Sequence, residues 1–133
     1  MKKILSILSV VFVFSNAQAN DDLAASMEII GEQFKIISTA IQAKELTENE
    51  LTAVETMQKE IAKSALLYPD NATTDELKIK YMTWMAELQQ MALNLEELAE
   101  TAMTQEVQDL ANVTAQFVDI NELRKKGHTI FKE

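Results

Sequence analysis

Apolar residues recur along this chain at alternating steps of four and three. The first run is Leu23, Met27, Ile30, Phe34, Ile37 and Ile41. Residues three or four apart share one face of an α-helix, so the run is a single buried seam. It predicts a helix over 22–43, with Asn20 to Asp22 offering N-caps. A second run is Leu51, Val54, Met57, Ile61, Ala65 and Tyr68. It follows Thr47-Glu48-Asn49-Glu50, a capping-box pattern that satisfies orphan amides at a helix start. This helix is expected to end near Tyr68, because Pro69 cannot continue the hydrogen-bond ladder.

After a loop over 69–72, Thr73-Thr74-Asp75-Glu76 gives a second capping box. Behind it run Leu77, Tyr81, Trp84, Leu88, Met91, Leu95 and Leu98, and the helix is expected to end around 99–101. No Gly or Pro marks the next boundary. Thr104-Gln105-Glu106-Val107 is a weaker start for a fourth helix reaching about Phe131. Its stripe is Leu110, Val113, Phe117, Ile120, Arg124, His128 and Phe131.

Helices of about twenty residues are each roughly 30 Å long. Short connections place consecutive helices antiparallel. The expected fold is therefore all-α, an antiparallel up-down-up-down four-helix bundle. The chain has only 2 Gly and 1 Pro, far fewer turn residues than a sheet protein needs. In such a bundle the start of the first helix and the end of the fourth share one end of the molecule. Met27 and His128 then face the core at nearly the same height.

Residues 1–19 read as a cleaved signal peptide and 20–133 as the mature bundle. Lys2 and Lys3 open the segment, Ile4 to Phe14 is apolar but too short to span a bilayer, and Ala17-Gln18-Ala19 has small residues at both cleavage positions. The expected destination is a bacterial periplasm, with no membrane attachment after cleavage. Loss of Lys2 and Lys3 takes the formal charge from −9 to −11. An acidic surface argues against nucleic-acid or anionic-membrane partners, which select basic patches.

There is no Cys, which excludes disulfides, thiolate metal sites and covalent haem attachment. The only histidine is His128. On a core-facing stripe, an imidazole must find a partner or leave a polar group unsatisfied. One thioether and one imidazole are too few ligands for a bare metal ion. They suit haem iron, whose porphyrin supplies four nitrogens and leaves two axial positions. Without Cys the haem would be held non-covalently, as haem b.

At these residues the chain resembles the periplasmic cytochrome b562 family. The likeness lies in Asp22-Leu-Ala-Ala-Ser-Met27-Glu-x-Ile, in Phe34-Lys-Ile-Ile-Ser-Thr-Ala40, and in Leu123-Arg124-x-x-x-His128-x-x-Phe131-Lys132. It covers the two ends of the chain, and the middle only by helix pattern. The resemblance implies Met27 and His128 as axial ligands and Arg124 as a residue near the haem. It also implies Tyr81 and Met85 at the positions of two porphyrin-packing aromatics. The chain departs from the family in a shorter loop between the second and third helices, and in Gly127, where an aromatic precedes the histidine. A glycine there costs about 1 kcal/mol relative to Ala, so a frayed last turn or a more exposed haem edge is expected.

The functional expectation is an electron-transfer protein, not an enzyme, because filled axial positions leave no open site for oxygen chemistry. It would be a monomer serving redox partner proteins that the sequence does not name. One rival is a haem-free helical binding or stress protein with His128 merely packed. Another is a copper(I) carrier using methionines and His128, although Met82, Met85, Met91 and Met103 form no tight Met-x-Met run and suit core packing. Glu45, Glu48, Glu50, Glu96 and Glu97 read as solvated helix surface. The absence of a Glu-x-x-His motif excludes a di-iron carboxylate bundle.

Overall fold

A computed structural model describes the backbone of residues 16–131 and the side chains of residues 21–131. Within these bounds the chain forms four helices: α1 (Asn16–Ala43), α2 (Glu48–Ser64), α3 (Asp75–Met103) and α4 (Ala111–Ile130). Most of the expected targeting segment, residues 1–15, lies outside the described residues. Among the described residues no helix is long and apolar enough to cross a membrane.

The apolar stripes face inward and meet in one core. Leu23, Ile37, Met57, Ile61, Leu95, Val113 and Ile120 are at most 2 % exposed. Contacts between elements fix their relative directions. The Tyr81 hydroxyl, early in α3, donates to the Ser64 carbonyl at the end of α2 over 2.6 Å. Its ring lies 5.3 Å from that of Phe131, just past α4. Gln58 of α2 donates to the Ala92 carbonyl (3.2 Å) and Glu96 Oε1 (2.9 Å) of α3. At the other end of the bundle, Gln108 clamps the Leu46 backbone, accepting from its N–H at 2.8 Å and donating to its carbonyl at 3.0 Å. The end of α2 and the end of α4 thus both lie beside the start of α3. Close backbone approach links α1 to α2, α2 to α3 and α3 to α4. Large side chains span α1 and α4: the Phe34 and Phe117 rings stack at 4.3 Å.

The capping box at Thr47 forms as expected, with the Thr47 N–H donating to Glu50 Oε1 and the Asn49 N–H to Thr47 Oγ1. Other boundaries differ from the expectation. α1 already includes Asn16, ahead of Asn20 to Asp22, and Ala17-Gln18-Ala19 are good helix formers within it. α2 stops at Ser64 rather than near Tyr68. Tyr81 takes the Ser64 carbonyl, and tight turns at Leu66 and Leu67 follow. α3 is capped by Thr74, whose hydroxyl accepts from the Leu77 N–H at 3.1 Å, so the box predicted at Thr73 does not form. The shift leaves Asp75 and Glu76 in the first turn, where they complement the positive helix end.

The largest correction is the start of α4. Residues 104–110 are a connection, not helix. Gln105 Oε1 accepts from the Asp109 N–H (2.8 Å) and Asp109 Oδ1 from the Ala111 N–H (3.1 Å). These side chains give the backbone local partners that compete with a helical ladder.

Candidate functional site

Side chains of all four helices line one cavity of about 220 Å³. Its walls are mostly apolar, with Ile30, Phe34, Leu88 and Ile120 among them. Of the residues singled out in the sequence, Met27, Met85, Arg124 and His128 line it. Tyr81 does not. It is fully buried beside the cavity, spent on the Ser64 carbonyl and on ring packing against Phe131.

Met27 is half-buried and sits on α1 one turn before Gly31. Met85 is 1 % exposed. His128 departs from the core position its stripe suggests: the residue is exposed and its ring edges the cavity mouth. The buried face of α4 runs instead through Val113, Ile120, Gly127 and Phe131, and His128, one residue past Gly127, is turned about 100° away from it. Among the described residues His128 has no hydrogen-bond partner, so it is not a satisfied core histidine. Partial burial and, secondly, the charge of Arg124 one turn earlier hold its pKa below the ordinary imidazole value. At neutral pH the ring is therefore the neutral form that ligates metals.

Arg124 is the other polar group of the site. Its guanidinium stacks over the Phe34 ring at 4.6 Å. Its Nε and Nη1 are buried without a hydrogen-bond partner, and burial lowers its pKa. The ion pair among the described residues is Lys63–Glu60 at 3.9 Å, away from Arg124. A guanidinium stays charged, and among the described residues no carboxylate pairs with it at the cavity wall.

Trp84 was legible only as a stripe residue. The structure gives it three tasks. Its indole N–H donates to the Leu123 carbonyl at 2.8 Å. Its ring is edge-on to His128 at 6.2 Å and stacks on Phe131 at 5.7 Å. It also fills the space left by Gly127, where an added Cβ would sit 1.8 Å from the indole. The expected fraying at Gly127 does not occur: α4 runs on to Ile130, and Gly127 is buried. The sequence signal for this pairing was a lone Trp and a glycine at one height on neighbouring helices. Met57, Phe34 and Gly31 also reach the cavity wall, without having been singled out as site residues.

No protein family, curated protein or solved structure matches this chain. Among the described residues no three His, Cys, Asp or Glu side chains are grouped to hold a bare metal ion. The donor set is a thioether and a neutral imidazole, one from each end of the chain. The orphaned Arg124 nitrogens suit a carboxylate. Beside Gly31 nothing lies within 4 Å of where a Cβ would be. Ligand pockets usually measure about 300–1,000 Å³, so a macrocycle must extend beyond the inner cavity. An adjoining pocket of about 560 Å³ between α1 and α4 supplies that room. The residues present fit haem.

Proposed function

We propose that the mature chain is a periplasmic b-type cytochrome of the cytochrome b562 kind, an electron carrier rather than an enzyme. The observation that carries this reading is the convergence of Met27 and His128, from opposite ends of the chain, on one cavity beside an unpaired Arg124. When bound, haem supplies a one-electron ferric–ferrous couple. Met27 Sδ and a His128 imidazole nitrogen would hold its iron. Met85, Leu88 and Ile120 would exclude water from the ring faces, and Arg124 would neutralise a carboxylate.

A second reading has one observation in its favour. Met27, Met57 and Met85 line the same cavity as His128, a soft donor set that suits copper(I). The Arg124 cation on the same wall opposes it, because a bare cation would be repelled where an anionic ligand is attracted.

Titration of the purified ligand-free protein with ferric haem decides between them. Trp84, the only tryptophan, sits on the wall and reports binding by fluorescence quenching. The haem reading expects one equivalent bound, a sharp Soret band and split ferrous bands. A protein that takes up copper(I) stoichiometrically but leaves haem free in solution is the copper carrier instead.

A further inference from the structure

Gly31 lies in the interior of α1, far from either end. A glycine there destabilises a helix relative to alanine. The usual reasons for tolerating one are absent. No glycine among the described residues has positive φ. Nothing approaches within 4 Å of the place its Cβ would take. Gly127 is the contrast, since Trp84 occupies its missing side chain. The fold uses one glycine and leaves the other open.

The opening has a definite position. The inner cavity and the α1–α4 pocket share three wall residues, Gly31, Phe34 and Arg124. Phe34 and the Arg124 guanidinium stack on each other and form a solid partition. Gly31 is the part of that wall with no side chain. On the far side, Lys35, Ser38 and Asn121 offer polar groups to a ligand edge, alongside Glu28 and Glu32. The inner cavity alone is too small for a macrocycle.

We propose that Gly31 is a specificity-determining residue: the opening it leaves lets a flat, carboxylate-bearing macrocycle lie across both cavities, with an anionic edge at Arg124. This rests on the haem reading. It also makes a demand of its own, that filling the gap blocks the ligand without harming the fold.

Gly31→Ala and Gly31→Leu test it on the mature protein. Ligand-free melts are recorded first. Both variants are then titrated with ferric haem and with metal-free protoporphyrin IX, which needs no axial ligands, following Trp84 fluorescence. Both variants should melt at or above the wild-type temperature, because the added atoms enter open space. Gly31→Leu should bind both porphyrins on the order of tenfold more weakly or worse, as overpacking a site does. Gly31→Ala should fall between. Unchanged porphyrin affinity in Gly31→Leu overturns the inference and leaves the haem reading standing. A Leu variant that melts below wild type also overturns it, since the fold would then require the glycine. If the wild type binds the metal-free ring, Leu blocks it, and iron porphyrin is never low-spin, Gly31 keeps its role and the axial assignment falls. A wild type that binds neither porphyrin sinks both.

Discussion

A Cβ at Gly127 would overlap the Trp84 indole, so this position sets its own rule against helix propensity. Gly127→Ala gains about 1 kcal/mol of propensity but overpacks a filled site, which typically costs about 1–3 kcal/mol. The variant should be less stable than wild type in urea, with altered Trp84 emission; a more stable variant would refute the tight packing. At His128 the sign of the pH effect follows from the lowered pKa. The unfolded chain binds the proton more readily, so stability is present above the unfolded value and is lost as pH falls through it towards the folded value. Bound haem should sharpen this loss, because ligation needs the neutral ring. His128→Ala should abolish low-spin haem at neutral pH, and an unchanged spectrum would remove His128 from the ligand set. Met27→His, if its ring reaches the iron, should stay low-spin and lower the reduction potential by on the order of 100 mV, within the span set by axial ligands. Met27→Ala should give a high-spin or water-ligated ferric spectrum. Met27 is only half-buried, so this change should cost less than the about 2–5 kcal/mol of a core methionine.

Among the elements, the helix ends carry the sharpest tests. α1 closes with the Lys44 N–H donating to the Ile41 carbonyl at 3.0 Å and the Glu45 N–H to the Ala40 carbonyl at 3.1 Å. This is the paired C-terminal cap that favours a left-handed residue. Lys44 occupies it at φ 63°, where a side chain is strained. Lys44→Gly should therefore stabilise the protein by about 0.5–1 kcal/mol after the glycine's greater unfolded-state entropy is counted. Thermal melts at one pH decide this, and a drop in Tm would show that the lysine contributes something the cap geometry does not reveal. At the same end, Gln108 joins the α1–α2 and α3–α4 connections through both backbone groups of Leu46. Gln108→Ala leaves that donor and acceptor unpaired and should cost about 1–3 kcal/mol in chemical denaturation.

At the scale of the molecule, charge is unevenly distributed along the bundle. Residues 45–55 and 96–109 carry nine carboxylates and no lysine or arginine. The Gln108 clamp and the Gln58 bonds to α3 hold these segments together. Lys44 borders the first of these segments, while Arg124 at the cavity is followed by Lys125 and Lys126. Crowded like charges destabilise a compact state, and salt screens them. Raising ionic strength from low salt should raise the Tm of the ligand-free protein, and a flat salt dependence would show that the acidic end is relieved by solvent alone. Mass spectrometry of exported protein should find a chain beginning at Asn20; a full-length chain held in membranes would overturn the reading of residues 1–19.

The sequence by itself determined the four helices, the seams they bury and the place of Met27 and His128 near opposite chain ends, because a period of 3.6 is written locally in the residues. The Thr47 cap was legible for the same reason. Tertiary structure alone decided what depends on groups distant in sequence. Tyr81 donates to the carbonyl at the end of α2, and Trp84 rather than Tyr81 lines the cavity wall. Trp84 fits against α4 only because Gly127 faces it. The connection at 104–110 is fixed partly by Leu46, more than fifty residues away, through Gln108. The unpaired state of Arg124 and the open space at Gly31 are likewise properties of what lies opposite them, and periodicity along one helix carries no record of that.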